Sequence, residues 1–132
     1  METSKAQAEI FKALVDRGYA DDLGGDALTA RQVAKMLEEV LEATDHVTGF
    51  SDETRALMVQ LHERIRSEFD DLARWQEQGG IVDYAALEYE LCDVGVTLAN
   101  AAEAMYIDEQ FDVMQGALRK ATHDVKRGVR NA

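Results

Sequence analysis

Apolar residues recur at three- and four-residue intervals along most of this chain, and proline is absent. That interval is the helical one, since each residue of an α-helix advances about 100° around the axis. Glycines at Gly18, Gly24, Gly25, Gly49, Gly79 and Gly80 fall where one periodic segment stops and the next begins. A first helix is predicted over residues 3–17, with Ala6, Ile10, Phe11, Leu14 and Val15 as its apolar face. Thr29 and Gln32 then read as a capping box with Leu28 stapled onto Val33, opening a second helix that runs to about residue 48. Its apolar face is Val33, Met36, Leu37, Val40, Leu41, Thr44 and Val47, an arc of about 140°.

Ser51 opens a third helix to about residue 76, with Asp52 and Glu53 in its first turn and a stripe of Leu57, Met58, Leu61, Ile65, Phe69, Leu72 and Trp75. Asp83 caps a fourth, in which Leu87, Leu91, Val94, Leu98, Ala101, Ala102 and Met105 form a narrow seam. A last helix over residues 108–127 carries Phe111, Met114, Ala117, Leu118, Ala121 and Val125. No segment alternates as a strand would. The predicted fold is all-α, an antiparallel bundle of four to five helices, because short connections make sequential helices neighbours.

A length of 132 residues suits one domain over residues 1–132. The composition, 46% hydrophobic and 30% charged, is globular. So small a core favours burial in a homodimer or homotetramer. A net charge of -12 repels nucleic-acid backbones and anionic membranes, so no nucleic-acid polymer and no membrane is an expected partner. With one cysteine, Cys92, no internal disulfide forms. Together with the lack of a leader or a long apolar run, that points to a cytoplasmic protein. Cys92 itself is expected as a packed small hydrophobe.

The chemistry-bearing segment is Lys35 to Asp45. Glu38 and Glu42 stand one above the other, four residues apart, with Glu39 beside them and opposite the apolar face. Carboxylates so placed repel one another. Lys35 offsets part of that, and a divalent cation would exchange repulsion for coordination. Glu90 and Asp93 on the fourth helix form a second pair on one side, flanking the seam. In an acidic chain the alternative is a solvated polar face, and spacing leaves both open.

The order of the two motifs, Glu38-Glu39-Val-Leu-Glu42 followed by Glu90-Leu-Cys-Asp93 and an apolar run to Tyr106-Ile107-Asp108, resembles the all-alpha NTP pyrophosphohydrolase superfamily. That superfamily includes MazG proteins, dimeric dUTPases and phosphoribosyl-ATP pyrophosphohydrolases. The resemblance implies a MazG-like fold and hydrolysis of a nucleoside triphosphate between its α and β phosphates. It implies Mg²⁺ held by Glu38, Glu39, Glu42, Glu90 and Asp93, with Glu39 and Glu42 as catalytic carboxylates and Glu39 foremost as the base that orients water. Deoxynucleotides such as dUTP are the first substrate expected, ahead of phosphoribosyl-ATP, whose basic recognition residues have no match in this chain.

The chain departs from the pattern in the 47 residues between Glu42 and Glu90, which hold a whole extra helix. That helix carries a rival pair, Glu68 and Asp71, with Glu68 on the apolar side as an inward site residue or an interhelical ion-pair partner. The apolar helix after Asp93 favours Glu90 and Asp93. Lys35 is the candidate phosphate contact on the helix itself; Arg119, Lys120, Lys126 and Arg127 are a second source. Asn100 is the candidate base contact, and Phe50, Trp75, Tyr84 and Tyr106 are candidate stacking surfaces. His46, His62 and His123 are unclustered in sequence and carry no assigned role. A noncatalytic acidic helical scaffold or partner-binding protein is the competing class.

Overall fold

The computed structural model describes residues 4–18, 25–105 and 111–126. Among them are six helices and no strand: α1 (Lys5–Asp16), α2 (Gly25–Thr44), α3 (Asp52–Phe69), α4 (Leu72–Glu77), α5 (Tyr84–Met105) and α6 (Val113–Lys126). The all-α expectation is met. The turn at Tyr106 to Asp108 and the basic residue Arg127 lie outside the described residues, as does the side chain of Lys126.

Local chemistry sets most of the boundaries. Ser4 accepts the amide of Gln7 at 3.2 Å to start α1, and Ser51 accepts that of Thr54 at 3.1 Å to start α3. Asp83 does the same for Ala86 at 3.1 Å, and Asp112 accepts the amides of Met114 and Gln115 at 3.0 and 3.1 Å. At the end of α4, Gly79 takes φ 84°. The Gly79 amide donates to the Gln76 carbonyl and the Gly80 amide to the Trp75 carbonyl, both at 3.0 Å, the bond pair of a Schellman stop. A methyl group at Gly80 would land on the Trp75 indole. Gly80→Ala is therefore expected to displace the chain's one tryptophan, seen as a shifted fluorescence maximum, and to cost about 1–3 kcal/mol in urea denaturation.

Besides an α2 that ends at Thr44 and not near residue 48, and an α6 that starts at Val113 and not at residue 108, two further boundaries differ from expectation. The helix predicted over residues 51–76 is two, because Asp71 leaves helical geometry (φ −121°, ψ 83°) and its carboxylate takes the amide of Arg74. Short acidic side chains compete with the helix for backbone partners, and here the competitor wins. Thr29 is not a cap: α2 runs back to Gly25, and Ala27 and Ala30 in its first turns are buried. That burial outweighs a local cap worth about 1 kcal/mol. The amide nitrogen of Gln32, expected to return the capping bond, is shielded and has no hydrogen-bond partner among the described residues.

The chain forms two compact units, residues 23–82 and residues 1–22 with 83–132. In the second, α1 packs on α6, with Ala13 and Leu14 buried. Phe11 and Val15, expected in that face, are exposed. Along α5 only Ala102 is buried; the seam residues Leu91, Val94, Leu98 and Met105 are exposed, as is Cys92, which is not the packed hydrophobe expected.

In the first unit α2 packs on α3 and α4. The contacts run Asp45 to Arg55, Thr44 to Met58, Glu42 to His62 and Glu38 to Arg66. One helix descends as the other ascends, so the pair is antiparallel. The buried line of α2 is Ala27, Ala30, Ala34 and Glu38, about 100° around the helix from the predicted face. Leu37, Val40 and Val47 are exposed. On α3 the half-buried positions are Thr54, Arg55, Met58, His62, Ile65 and Phe69, whereas Leu57 and Leu61 are exposed.

Candidate metal centre on the α2 and α3 pair

The alanines of α2 explain why a carboxylate ends up inside. Ala27, Ala30 and Ala34 present only methyl groups, so α3 can come close, and the next residue on that line is Glu38. Its side chain is 10% exposed, the one buried charged residue among those described. A buried carboxylate demands partners. Glu38 Oε1 lies 3.3 Å from Arg66 Nε and 3.5 Å from His62 Nε2, and its Oε2 lies 3.5 Å from Lys35 Nζ. Lys35 also reaches Glu39 Oε1 at 3.7 Å.

One turn on, Glu42 directs Oε1 to within 3.5 Å of the same His62 Nε2. That nitrogen is shielded from solvent yet makes no hydrogen bond among the described residues. It faces two carboxylate oxygens at equal distance. Donor atoms of Glu38, Glu42 and His62 all lie within 4.8 Å of one another, a group able to hold a metal ion. Glu42 is half exposed, at 49% of its side chain, so the cluster opens to solvent on that side.

The expected site residues divide between the two units. Glu38, Glu39, Glu42 and Lys35 stand together on α2. Glu39 is exposed and held by Lys35 alone of the ion pairs described. Glu90, Asp93 and Asn100 are on α5 in the other unit, all exposed. Glu68 is not inward-facing: its exposed side chain pairs with Arg74 at 3.5 Å, across α3 and α4. Asp71 is the α4 cap. Arg119 and Lys120 are exposed on α6.

Sequence reasoning assigned no role to His62 and did not weigh Arg66. Both sit on α3 one turn apart, and a single signal marked the first of them: a histidine occupying a position between Met58 and Ile65 on a helix whose neighbouring positions are apolar. Comparison with protein-family models, with curated proteins and with solved structures finds no match.

Chemically, the arrangement supplies two carboxylates whose oxygens suit a hard divalent cation, and an imidazole that suits a softer one. Lys35 and Arg66 occupy the carboxylates as counter-charges. Arg66, 63% exposed, has room to turn away from Glu38, whereas Lys35 is only 26% exposed.

Proposed function

We propose that this chain is a divalent-cation-dependent nucleoside triphosphate pyrophosphohydrolase, one MazG-like domain, that cleaves between the α and β phosphates to give a nucleoside monophosphate and pyrophosphate. A deoxynucleotide such as dUTP is the substrate of first choice. The observation that carries this reading is the α2 carboxylate ladder, in which Glu38 is buried and Glu42 is set beside it against one imidazole. Structural carboxylates seldom go inside; those that serve a cation have reason to.

Glu38, Glu39 and Glu42 would hold Mg²⁺, whose preference for oxygen ligands their carboxylates meet; Glu90 and Asp93, on α5 of the other unit, are the further ligands that the resemblance implies. Bound there, the cation neutralises phosphate charge and lowers the pKa of the attacking water. The protein's own part is positioning. Glu39, exposed and free to turn from Lys35, orients the water; Lys35 and Arg66, released from Glu38, bind the outer phosphates; Asn100 contacts the base. The test is pyrophosphate release from a panel of canonical and modified triphosphates, with and without Mg²⁺. Release that requires Mg²⁺ and falls at least tenfold in Glu39→Ala supports the reading. No release above background favours the acidic scaffold, for which Lys35 and Arg66 already neutralise Glu38 without any cation.

A second copy of the chain is the proposed partner, as a homodimer or homotetramer. Leu87, Leu91, Val94, Leu98, Ala101 and Met105 are spaced by alternating steps of four and three, the spacing of a helix seam that seats another helix. Leu98 is 44% exposed and Met105 62%. Leu98→Glu is expected to lower the mass found by sedimentation equilibrium to that of one chain; a monomeric wild type would end this proposal.

A further inference from the structure

We infer that Glu38, Glu42 and His62 form a tetrahedral site for an ion of the Zn²⁺ class, with His62 favouring that ion where both are present, Mg²⁺ using the same carboxylates in its absence, and the fourth position open to water or a phosphate oxygen. This extends the carboxylate reading by a ligand from another helix, and it does not require that the chain hydrolyse anything.

Three observations carry it. The first is spacing. Ligands bound at about 2.0–2.1 Å stand about 3.3–3.4 Å apart around a tetrahedral ion, but only about 2.9 Å apart on the edges of the octahedron that Mg²⁺ requires. His62 Nε2 is 3.5 Å from Glu38 Oε1 and 3.5 Å from Glu42 Oε1, two edges close to the tetrahedral one, and the donor atoms of all three residues lie within 4.8 Å of one another.

The second is the state of the imidazole. Nε2 is shielded from solvent and makes no hydrogen bond among the described residues. A shielded ring nitrogen pays for its desolvation unless something binds it, and both carboxylates offer it only distances beyond a good hydrogen bond. An ion placed between the three donors satisfies all of them at once. The third is donor type. Imidazole nitrogen and carboxylate oxygen are both Zn²⁺ ligands, three of them leave one tetrahedral position open, and nitrogen ligation favours such ions over Mg²⁺.

The counter-charges fit this assignment. Lys35 contacts Oε2 of Glu38 and leaves Oε1 for the ion. Arg66, on Oε1 at 3.3 Å, is mostly solvent-exposed and can swing away. The half-exposed Glu42 marks the side from which water or ligand reaches the fourth position.

Cobalt(II) titration of metal-free protein tests this directly, because tetrahedral Co²⁺ absorbs visible light far more strongly than the six-coordinate aqua ion. The expected result is a strong band saturating at one ion per chain, bleached by equimolar Zn²⁺ and unaffected by a thousandfold excess of Mg²⁺. His62→Gln should weaken binding at least tenfold, with His46→Gln unchanged, and far-UV circular dichroism should show each variant folded. If His62→Gln does not fold, Glu42→Gln decides, with the same loss expected. A six-coordinate spectrum, displacement by Mg²⁺ at comparable concentration, or binding that survives a folded His62→Gln or Glu42→Gln overturns the inference. Pyrophosphate release with Mg²⁺ is read separately, so a hydrolase without the cobalt band, or the band without a hydrolase, separates the two readings.

Discussion

Glu38→Gln is expected to reduce Mg²⁺-dependent pyrophosphate release by about 10²–10³-fold while leaving the helical circular dichroism unchanged. The substitution keeps shape and volume and removes only the charge. Glu38 is the carboxylate that α2 and α3 enclose, and it alone of the three on α2 meets Lys35, His62 and Arg66 together. A cation held there would lose a principal anionic ligand, and transition-state charge stabilisation of several kcal/mol with it. Glu39→Gln changes an exposed residue with one weak ion pair, so its loss should appear more in turnover, through the water, than in metal affinity. Measured side by side, the two variants separate a ligand from a base. Equal activity of Glu38→Gln and wild type would sink the catalytic reading.

Leu14→Ala is expected to destabilise the protein by about 2–5 kcal/mol, the usual range for emptying a buried leucine position. Leu14 is 7% exposed, and with Ala13 it forms the buried part of α1, the helix that packs on α6. Phe11→Ala removes a larger side chain from the same helix yet should cost no more than about 1 kcal/mol, because Phe11 is 51% exposed. Urea denaturation of the two variants checks the difference. If Phe11→Ala proves the more costly, the face of α1 is the one that periodicity predicted, and a further partner covers it.

That contrast recurs along the chain. Periodicity located the helices, but the face that α2 buries is about a quarter-turn from its apolar stripe. On α2 the predicted face of large residues leaves Leu37 and Val40 exposed, while a line of alanines leads inward to Glu38. Small side chains carry little hydrophobic signal and yet permit the closest helix approach. On α3, His62 takes the inward place that Leu61 was expected to share. Neither shift could be read from a single helix, because the orientation of a helix is set by what it packs against.

The sequence by itself determined the all-helical class, the starts at Ser51 and Asp83, the stop at Gly79 and Gly80, and the four-residue stacking of Glu38 and Glu42. Each of these is a matter of neighbours within about one helical turn, where capping bonds, glycine φ and side-chain period act without help from the rest of the chain. The tertiary structure decided that Asp71 splits a helix, that Thr29 lies inside one, that Glu68 turns outward to Arg74, and that His62 and Arg66 meet Glu38. The Asp71 cap and the Glu68–Arg74 pair are made within six residues, where two local arrangements compete; the meeting of Glu38 with His62 and Arg66 depends on segments more than 20 residues apart, and at Thr29 the burial of Ala27 and Ala30 outweighs a local cap worth about 1 kcal/mol.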